Sequence, residues 1–507
     1  MRETGTRVPG GLLGWVERAG NRLPDPATIF VGLGVLTLLA STLAARAGLS
    51  VAHPATGTPV VAVDLLSRDG LRMVLTGVVT NFTTFAPLGT VLIVMLGIGI
   101  AERTGFLAAA LAASVRGVPP RLVTPAVVLA GLNSHVAADA GYVVLTPLAA
   151  AVFAALGRHP LAGVAAVFAG VAGGFSANLA LSALDPMLAG LTQEAARLVD
   201  PTYTVAVTAN YWFLAASVPL LTVVAWLVSD LVVEPRLGPW RPAPDVEPPA
   251  LRPLGALERR GLRAAGLALV AVVAIVLVLV VPAGAPLRDP ETGGPKPFFD
   301  ALVPLLALAF AAMGAAYGVV VGTLRSDRDA ARMMAEAMAA MGAYVVLACF
   351  AGQFVAWFRQ SELGLIVAVA GADALRAAGL AGAPLMVAVV LLVMLIDLVM
   401  ASASAKWAAL APVLVPMLMT LGWSPEVTQA LYRVGDSVTN TVTPLNPYFP
   451  VVIVAVRRWA PEVGLGTLLA AMAPYAFAFA LAWTAMLVAW VLAGVPVGPG
   501  APLHWPA

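Results

Sequence analysis

The chain repeatedly carries runs of about 20 apolar residues, the length that crosses the hydrocarbon core of a membrane as an α-helix. Clear candidates lie at about 28–46, 87–104, 209–232, 262–282, 301–323, 384–400 and 466–494. Of all residues, 60% are hydrophobic and only 11% are charged, whereas a soluble domain has about 25% charged residues. No soluble fold could bury this much apolar surface, so the sequence predicts an all-α polytopic membrane protein embedded in a lipid bilayer.

Three further apolar stretches, at about 121–200, 335–383 and 401–458, are less regular, because Pro, Gly, Ser, Thr and Asn interrupt them. Broken backbone is tolerated at membrane depth only where it is buried in protein or lines a water-filled cavity. We therefore expect these stretches to form the interior of the protein and the regular spans to form an outer frame.

The basic residues of the loops indicate the orientation, since cytoplasmic loops carry an excess of Lys and Arg. Arginines cluster in the N-terminal segment 1–27, in 103–121, in the Pro-rich linker 234–261 and in 324–332. The first 26 residues also lack the apolar core and cleavage site of a signal peptide. We therefore expect a cytoplasmic N-terminus and a cytoplasmic linker.

Residue counts also give no support for nucleic-acid binding, an internal disulfide or a metal site. A formal charge of +2 without a basic stripe gives no reason to expect nucleic-acid binding. The single cysteine, Cys349, excludes an internal disulfide and a thiolate metal cage. The four histidines are scattered without the spacing of metal ligands.

Two pairs of segments indicate an internal repeat. GFSANLALSALDP (174–186) matches GDSVTNTVTPLNP (435–447) at an offset of 261, and DAGYVVLTP (139–147) matches SAKWAALAP (404–412) at an offset of 265. Duplicated halves with interrupted helices mark secondary transporters, whose substrates bind near the bilayer midplane between the repeats. A first half with five spans and one re-entrant hairpin would invert the second half.

The repeat divides the chain into two comparable halves joined by the linker 234–261. Each half is expected to contain frame helices, a re-entrant hairpin and a broken helix. The predicted boundaries are the first half at 28–233 with its hairpin at about 122–150 and broken helix at about 165–195, the second half at 262–495 with its hairpin at about 397–420, broken helix at about 425–458 and last helix at about 466–494, and a C-terminal tail at 496–507.

Charged residues inside these broken stretches are candidate functional groups, because a charge at the bilayer centre costs at least about 2.5–3.5 kcal/mol on insertion scales. Arg433 and Asp436 lie three residues apart, so they share a helix face and could pair. Such a pair could be purely structural. Alternatively, Arg433 could bind a substrate carboxylate while Asp436 tunes it or carries a coupling cation.

Other residues of the broken stretches each have a structural and a functional interpretation. Asp185, before Pro186, could cap a helix C-terminus or could bind a proton or cation. Trp407 and Tyr142 occupy equivalent repeat positions and could stack on an aromatic substrate or pack the hairpins. Lys406 is expected to neutralise Asp397 or Asp436, or to extend towards the membrane surface.

Polar oxygens in the same stretches suit Na⁺, although Ser and Thr hydroxyls also hold packed helices together. The candidate ion-binding residues are Asn133, Ser134, Asp139, Asn178, Ser182, Asp436, Ser437, Thr439 and Asn440.

Four blocks of this sequence resemble the aminobenzoyl-glutamate transporter (AbgT) family, and the resemblance covers nearly the whole chain. They are SASAKWAALAPVLVPML (402–418), YRVGDSVTNTVTPLNPYF (432–449), NSHVAADAGYVVLTPLAA (133–150) and SANLALSALDPMLAGLTQEAA (176–196). The resemblance implies a bowl-shaped homodimer in the bacterial inner membrane, with nine transmembrane helices and two re-entrant hairpins in each protomer.

The resemblance also implies a function. Members of the family import p-aminobenzoyl-glutamate, an aromatic amide with two carboxylates, and some resemble exporters of sulfonamide antimetabolites, which share the p-aminobenzoyl core. The expected coupling ion is Na⁺ or H⁺, with no organic cofactor. The residues important in the family match Asp185, Ser404, Trp407, Pro425, Arg433 and Asp436 of this sequence. Lys406 and Asn446, from the same motifs, complete the candidate substrate site.

Two alternatives remain open from the sequence. A sodium-coupled dicarboxylate carrier of similar hairpin architecture would not need Trp407. An intramembrane hydrolase would use Asp185 and Asp436 as a carboxylate dyad, which requires the two acids to lie within hydrogen-bonding reach of each other. The sequence otherwise predicts a transporter and no enzyme activity.

We predict that Arg433→Ala and Asp436→Ala each abolish solute flux, because each removes a charge from the expected transport site. The measurement is uptake of labelled solute into proteoliposomes. Size-exclusion chromatography serves as the control that each variant still inserts and assembles. Full flux in either variant would contradict the assigned role.

Overall fold

The computed structural model describes residues 26–505 apart from 54–56, 116–117, 138–140, 241–254, 292, 294–295, 399, 401, 444–445, 447, 458 and 462. This part of the chain is mostly helical and contains almost no strand, which confirms the predicted fold class. Its sheet is an antiparallel pair of strands, β1 (Ser50–Ala52) and β2 (Pro59–Val61). Among the described residues, seven helices are long and apolar enough to cross a membrane: Ala27–Arg46, Tyr211–Leu237, Ala256–Val280, Leu302–Val321, Gly342–Gln360, Ala403–Thr420 and Gly466–Leu492.

The first half contains ten α-helices, with shorter 3₁₀ and π-helical turns between some of them. Its helices are α1 (Pro26–Arg46), α2 (Arg68–Thr83), α3 (Ala86–Arg103), α4 (Phe106–Val115), α5 (Val123–Leu132), α6 (Thr146–Ala155), α7 (Pro160–Phe168), α8 (Leu184–Ala196), α9 (Tyr211–Val228) and α10 (Glu234–Leu237). The π-helical turn Ala169–Gly173 extends α7, and the π-helical turn Ser229–Val233 joins α9 to α10.

The second half repeats this order after one additional long helix, α11. Its helices are α11 (Ala256–Val280), α12 (Lys296–Asp300), α13 (Leu302–Val321), α14 (Asp327–Ala340), α15 (Gly342–Gln360), α16 (Leu363–Ala377), α17 (Gly382–Asp397), α18 (Ala403–Thr420), α19 (Pro425–Val438), α20 (Phe449–Arg457) and α21 (Leu465–Leu492). A 3₁₀ turn, Thr439–Thr441, ends α19 where the second broken helix is interrupted.

Burial distinguishes fully buried helices from helices that expose most of their surface, although much of the stretch 335–350, which was expected in the interior, is half-buried or exposed. Every residue of α7 and every residue of α19 is buried. In contrast, only Gly261 and Ala265 are buried in the 25-residue α11. A helix that exposes apolar side chains around most of its circumference suits lipid rather than water, so α11 belongs to the frame.

The apolar run at 384–400 differs from its predicted role as a frame span. It forms α17, which has 16 residues and is therefore about 24 Å long, shorter than the roughly 30 Å hydrocarbon core. The chain breaks after Asp397, and α18 begins at Ala403. The second hairpin thus starts at Gly382 rather than at about 397, because an apolar run alone does not distinguish a hairpin arm from a membrane span.

The two broken helices meet at positions that the repeat makes equivalent. The backbone N–H of Ser176 donates a 3.2 Å hydrogen bond to Oγ of Ser437. These two serines are aligned by the offset of 261 between the repeats. The contact places the interruption of the first half directly against that of the second.

Glycines allow the first hairpin to approach the broken helix closely. A Cβ atom at Gly170 would lie 2.6 Å from the carbonyl oxygen of Val128, and one at Gly131 would lie 2.7 Å from that of Val167. Close backbone approach through small residues is a main source of helix association in membranes. The glycines therefore set the distance between α5 and the π-helical turn after α7.

We predict that Gly170→Val destabilises the folded protein by about 1–3 kcal/mol, because the new side chain overpacks this crossing. The measurement is the thermal unfolding midpoint in detergent. Gly266→Val is the matched control, since a Cβ added at Gly266 of α11 would meet no neighbouring atom within 4 Å. Equal shifts for the two variants would contradict close packing at Gly170.

Candidate functional site

Five charged side chains lie in the interior where α19 meets α8 and the second hairpin, which comprises α17 and α18. Their residues are at most 2% exposed. They are Asp185, Asp397, Lys406, Arg433 and Asp436. Buried charges require paired partners, because the interior cannot replace their hydration.

The first ion pair joins the two halves of the chain. Nη2 of Arg433, on α19, lies 2.6 Å from Oδ1 of Asp185, on α8. The other carboxylate oxygen, Oδ2 of Asp185, accepts hydrogen bonds from the backbone N–H of Ser182 at 2.6 Å and from its hydroxyl at 3.0 Å. This pair therefore fixes the second broken helix against the start of α8.

The position of Asp185 corrects its structural interpretation as a helix C-terminal cap. Asp185 lies in the first turn of α8, which begins at Leu184. A carboxylate there is favoured by the positive end of the helix dipole. Pro186 also fits the first turn, where its missing N–H needs no partner within the helix.

The second ion cluster is centred on Lys406, at the start of α18. Its Nζ contacts Oδ1 of Asp397 and lies 2.7 Å from Oδ1 of Asp436. Thr439 donates to Oδ2 of Asp397 at 2.6 Å, and Tyr432 donates to Oδ1 of Asp436 at 2.9 Å. The prediction that Lys406 neutralises nearby acids is confirmed, and both of the expected aspartates are its partners.

Pairing between Arg433 and Asp436 was the wrong expectation. The two residues do share α19, but Arg433 pairs with Asp185 and Asp436 pairs with Lys406. Spacing within a helix brings side chains onto one face, at a gain of only about 0.2–0.5 kcal/mol for an exposed pair. Partners from other helices, buried with them, therefore decide the pairing.

Some polar atoms of this cluster have no hydrogen-bond partner among the described residues. They are Nε of Arg433, Oδ2 of Asp436 and the hydroxyl of the nearby Ser176. Moreover, three carboxylates and two cations, when all are ionised, leave one negative charge in excess. The cluster thus combines an unused donor with an unused acceptor and an uncompensated charge.

Trp407 packs within the protein in this structure. It is fully buried, its ring stacks on Tyr432 with centroids 4.3 Å apart, and its Nε1 donates to the hydroxyl of Thr192 at 2.9 Å. Thr192 in turn donates to Gln429 at 2.7 Å. The sequence interpretation did not select Tyr432, Thr192 or Gln429, although Tyr432 precedes Asp436 by one helical turn, a spacing that could have indicated contact.

Ser437, Asn446 and Ser404, three further candidates, form hydrogen bonds with residues near them in the sequence. The hydroxyl of Ser437 donates to the carbonyl of Arg433 at 2.6 Å. The amide of Asn446 donates to the carbonyl of Asn440 and accepts from the N–H of Tyr448. Ser404 is half-buried, with its Oγ 3.3 Å from that of Ser402.

The remaining candidates that the structure describes form no hydrogen bond or ion pair with the five charged side chains. Asn133 accepts a hydrogen bond from the N–H of Leu179, and Ser134 donates to the carbonyl of Gly131. Asn178 is buried in the interrupted segment. Pro425 begins α19, about 12 Å along the helix from Arg433, and Asp139 lies outside the described residues.

Comparison with known proteins identifies the family. Residues 11–505 match the family model described as "AbgT putative transporter family". The chain belongs to the AbgT family. It is 39% identical over 493 residues to the p-aminobenzoyl-glutamate transport protein of Escherichia coli K12, an alignment that covers 97% of this chain and 96% of the relative.

Two solved AbgT-like structures share the fold. The YdaH transporter of Alcanivorax borkumensis superposes with a TM-score of 0.88 at 45% identity, covering 94% of this chain and all of that one. MtrF of Neisseria gonorrhoeae, presented as illuminating a class of antimetabolite efflux pumps, gives a TM-score of 0.90 at 44% identity and covers 97% and 100% of the two chains. The sequence resemblance to the AbgT family is therefore confirmed.

We predict that Lys406→Met destabilises this AbgT protein by about 3–5 kcal/mol, because it leaves two buried aspartates without their cation. The measurement is the unfolding midpoint in detergent. Adding Asp397→Asn to Lys406→Met should recover part of the loss. Arg332→Met, which removes an exposed surface pair with Asp329, is the control and should cost less than about 1 kcal/mol. An additive double variant would contradict the direct pairing.

Proposed function

We propose that the protein is a secondary active transporter that moves p-aminobenzoyl-glutamate, or a related folate catabolite or sulfonamide antimetabolite, across the bacterial inner membrane. The observation that carries this proposal is the buried charge cluster at the contact between the two repeats. Its free Arg433 Nε and Asp436 Oδ2 offer one group for a solute and one for a cation. The names of the relatives support the choice of solute.

The chemistry of this solute fits the cluster. p-Aminobenzoyl-glutamate carries two carboxylates and an aromatic amide. A guanidinium binds a carboxylate through two parallel hydrogen bonds, and Nε is one of the donors that can form such a fork. A solute carboxylate that engages Arg433 would compete with Asp185, which now occupies Nη2. Solute binding would thereby loosen the contact between the two halves.

The excess negative charge supports coupling to a cation. Either H⁺ or Na⁺ at Asp436 would balance the cluster, whose three carboxylates face only two cations. Carboxylate, hydroxyl and carbonyl oxygens are ligands that hard cations accept, and Ser437 and Thr439 lie on the same stretch of chain. We propose Na⁺ or H⁺ as the driving ion and no organic cofactor.

The proposal also includes the orientation of the protein in the membrane and its oligomeric state. We propose a cytoplasmic N-terminus and a cytoplasmic linker 234–261, because arginines are concentrated in these segments and cytoplasmic loops carry an excess of Lys and Arg. We propose a homodimer on the basis of the family resemblance, with the frame helices on its lipid-facing surface.

Two other functions make different demands on the site. A hydrolase dyad needs two carboxylates that share a proton, whereas Asp185 and Asp436 each hydrogen-bond to a different cation. A sodium-coupled dicarboxylate carrier is the alternative within transporters. It would use Arg433 in the same way without an aromatic recognition element.

We predict counterflow of labelled p-aminobenzoyl-glutamate in proteoliposomes, with competition by a sulfonamide and accumulation driven by an imposed Na⁺ or H⁺ gradient. Each gradient is imposed separately, and Arg433→Ala proteoliposomes serve as the inactive control. Transport of succinate instead, retained in a Trp407→Ala variant, would favour the dicarboxylate carrier. Counterflow that responds to neither gradient would contradict secondary active transport.

A further inference from the structure

Two turns of identical pattern lie at equivalent positions of the two halves. Leu-Gly-Arg-His-Pro (156–160) joins α6 to α7, and Leu-Gly-Trp-Ser-Pro (421–425) joins α18 to α19, at an offset of 265. In both turns, the glycine has a positive φ, 71° at Gly157 and 88° at Gly422. Each turn connects the second arm of a hairpin to the following broken helix, so it forms the base of that hairpin.

The middle of each turn differs and makes different contacts. Position 158 is an arginine and position 423 is a tryptophan. In both turns, the next residue caps the broken helix, since His159 Nδ1 accepts from the N–H of Leu161 and Ser424 Oγ accepts from that of Val427. The backbone geometry is therefore repeated, while the side chain that holds the turn in place is not.

Arg158 fastens the first turn to the C-terminal end of α9 through ionic contacts. Its Nη2 lies 2.7 Å from Asp230 and also contacts Glu234, while its Nε lies 3.0 Å from Glu234. Its Nη1 donates to Thr124 of α5 at 2.8 Å, and the guanidinium lies 4.3 Å from the ring centroid of Phe153 of α6. We call the ion pairs of Arg158 with Asp230 and Glu234 the ionic lock. Through it and the contacts of Arg158 with Thr124 and Phe153, both arms of the first hairpin are connected to α9 and its extension.

The C-terminal strap, residues 496–505, fastens the second turn to the N-terminal end of α9. The N–H of Trp505 donates to the carbonyl of Gly422, and the N–H of Ser424 donates to that of Leu503, each at 3.1 Å. The rings of Trp423 and His504 lie with centroids 4.9 Å apart. At its other end, Val497 accepts from the N–H of Phe213 at 3.0 Å.

The ionic lock and the strap contact opposite ends of the helical segment formed by α9 and its extension into α10. The strap reaches Phe213, near the start of α9, and the ionic lock reaches Glu234, where α10 begins. These positions are 21 residues apart, about 32 Å along a helix, which is close to the thickness of the hydrocarbon core. Both sets of contacts are formed in this structure, and the residues of the charge cluster are at most 2% exposed.

We propose that the ionic lock and the strap are the two opposing closures of the transport cycle. Arg158, Asp230, Glu234 and Trp423 are positioning residues: each fastening shuts the compartment at its own end of α9 and has to break before that end opens. The ionic lock lies at the end that leads into the arginine-rich linker, the cytoplasmic end on the orientation proposed above. This inference rests on the proposed transporter function.

The test measures access to the compartment from each side without any solute. Cys349→Ala removes the native thiol, and Ser404→Cys places a reporter beside the charge cluster. A membrane-impermeant maleimide is applied to right-side-out and to inside-out vesicles, and the ratio of the two labelling rates is determined. Because no solute is present, the result does not depend on whether p-aminobenzoyl-glutamate is the substrate.

We expect Arg158→Gln to raise labelling from the cytoplasmic side relative to the other side by roughly three- to tenfold, since charge-assisted hydrogen bonds hold the ionic lock. Trp423→Ala combined with His504→Ala should shift the ratio in the opposite direction. The isosteric pair Asp230→Asn with Glu234→Gln tests the ionic lock again if Arg158→Gln does not fold.

Arg103→Gln is the matched control, because it breaks a half-exposed pair with Glu336 in the frame and should leave the ratio unchanged. Opposite shifts from the two fastenings would support the proposal. Shifts in the same direction, or no shift in folded variants of both fastenings, would overturn it and leave the turns as purely structural elements. Failure of solute counterflow alone would instead refute the proposed substrate.

Discussion

The burial of charge inside an apolar protein is the constraint on which this structure depends. An ion removed from water loses several kcal/mol of hydration even after the protein relaxes. Asp185, Asp397, Lys406, Arg433 and Asp436 are almost wholly inaccessible, so the fold has to bring them together. Their contacts join α8, α17, α18 and α19, so the cluster connects the two halves of the chain and is also the candidate functional site.

Interrupted helices make this cluster possible. The break before α8 places Asp185 at a helix N-terminus, where the dipole and the Ser182 N–H stabilise a carboxylate. The break after α17 leaves Asp397 at its end, within reach of Lys406 at the start of α18. Continuous helices would satisfy their own backbone groups and offer none to a solute. The interruptions therefore cost regular structure and supply polar groups at membrane depth.

A site sealed on all sides can transport only if the closures open one at a time. Two candidate closures have the same backbone turn but different contacts. The turn 156–160 is held by the ion pairs of Arg158, and the turn 421–425 is held by the C-terminal strap. Because the repeat is expected to be inverted, equivalent turns fall at opposite ends of α9. Duplication of one turn would thus provide a closure at each side of the membrane. Divergence at positions 158 and 423 would then give the two closures different contacts.

Much of the architecture could be predicted from the sequence, and the physical reason is that the signals are local. Apolar run length indicates a membrane span, while Pro, Gly and polar residues within such runs indicate the buried interior that α7 and α19 form. The offset of 261 already aligned Ser176 with Ser437, which are in contact. The scarcity of charge in the broken stretches was sufficient to select Asp185, Lys406, Arg433 and Asp436.

Only the tertiary structure decided which of these residues pair. Arg433 is three positions from Asp436 but bonds to Asp185, 248 residues away, because the approach of α8 to α19 sets that distance. It likewise decided that Trp407 stacks on Tyr432 and that an apolar run ending at Asp397 is a hairpin arm. Sequence spacing describes one helix at a time, whereas the partners of a buried charge depend on which other backbones come within hydrogen-bonding reach.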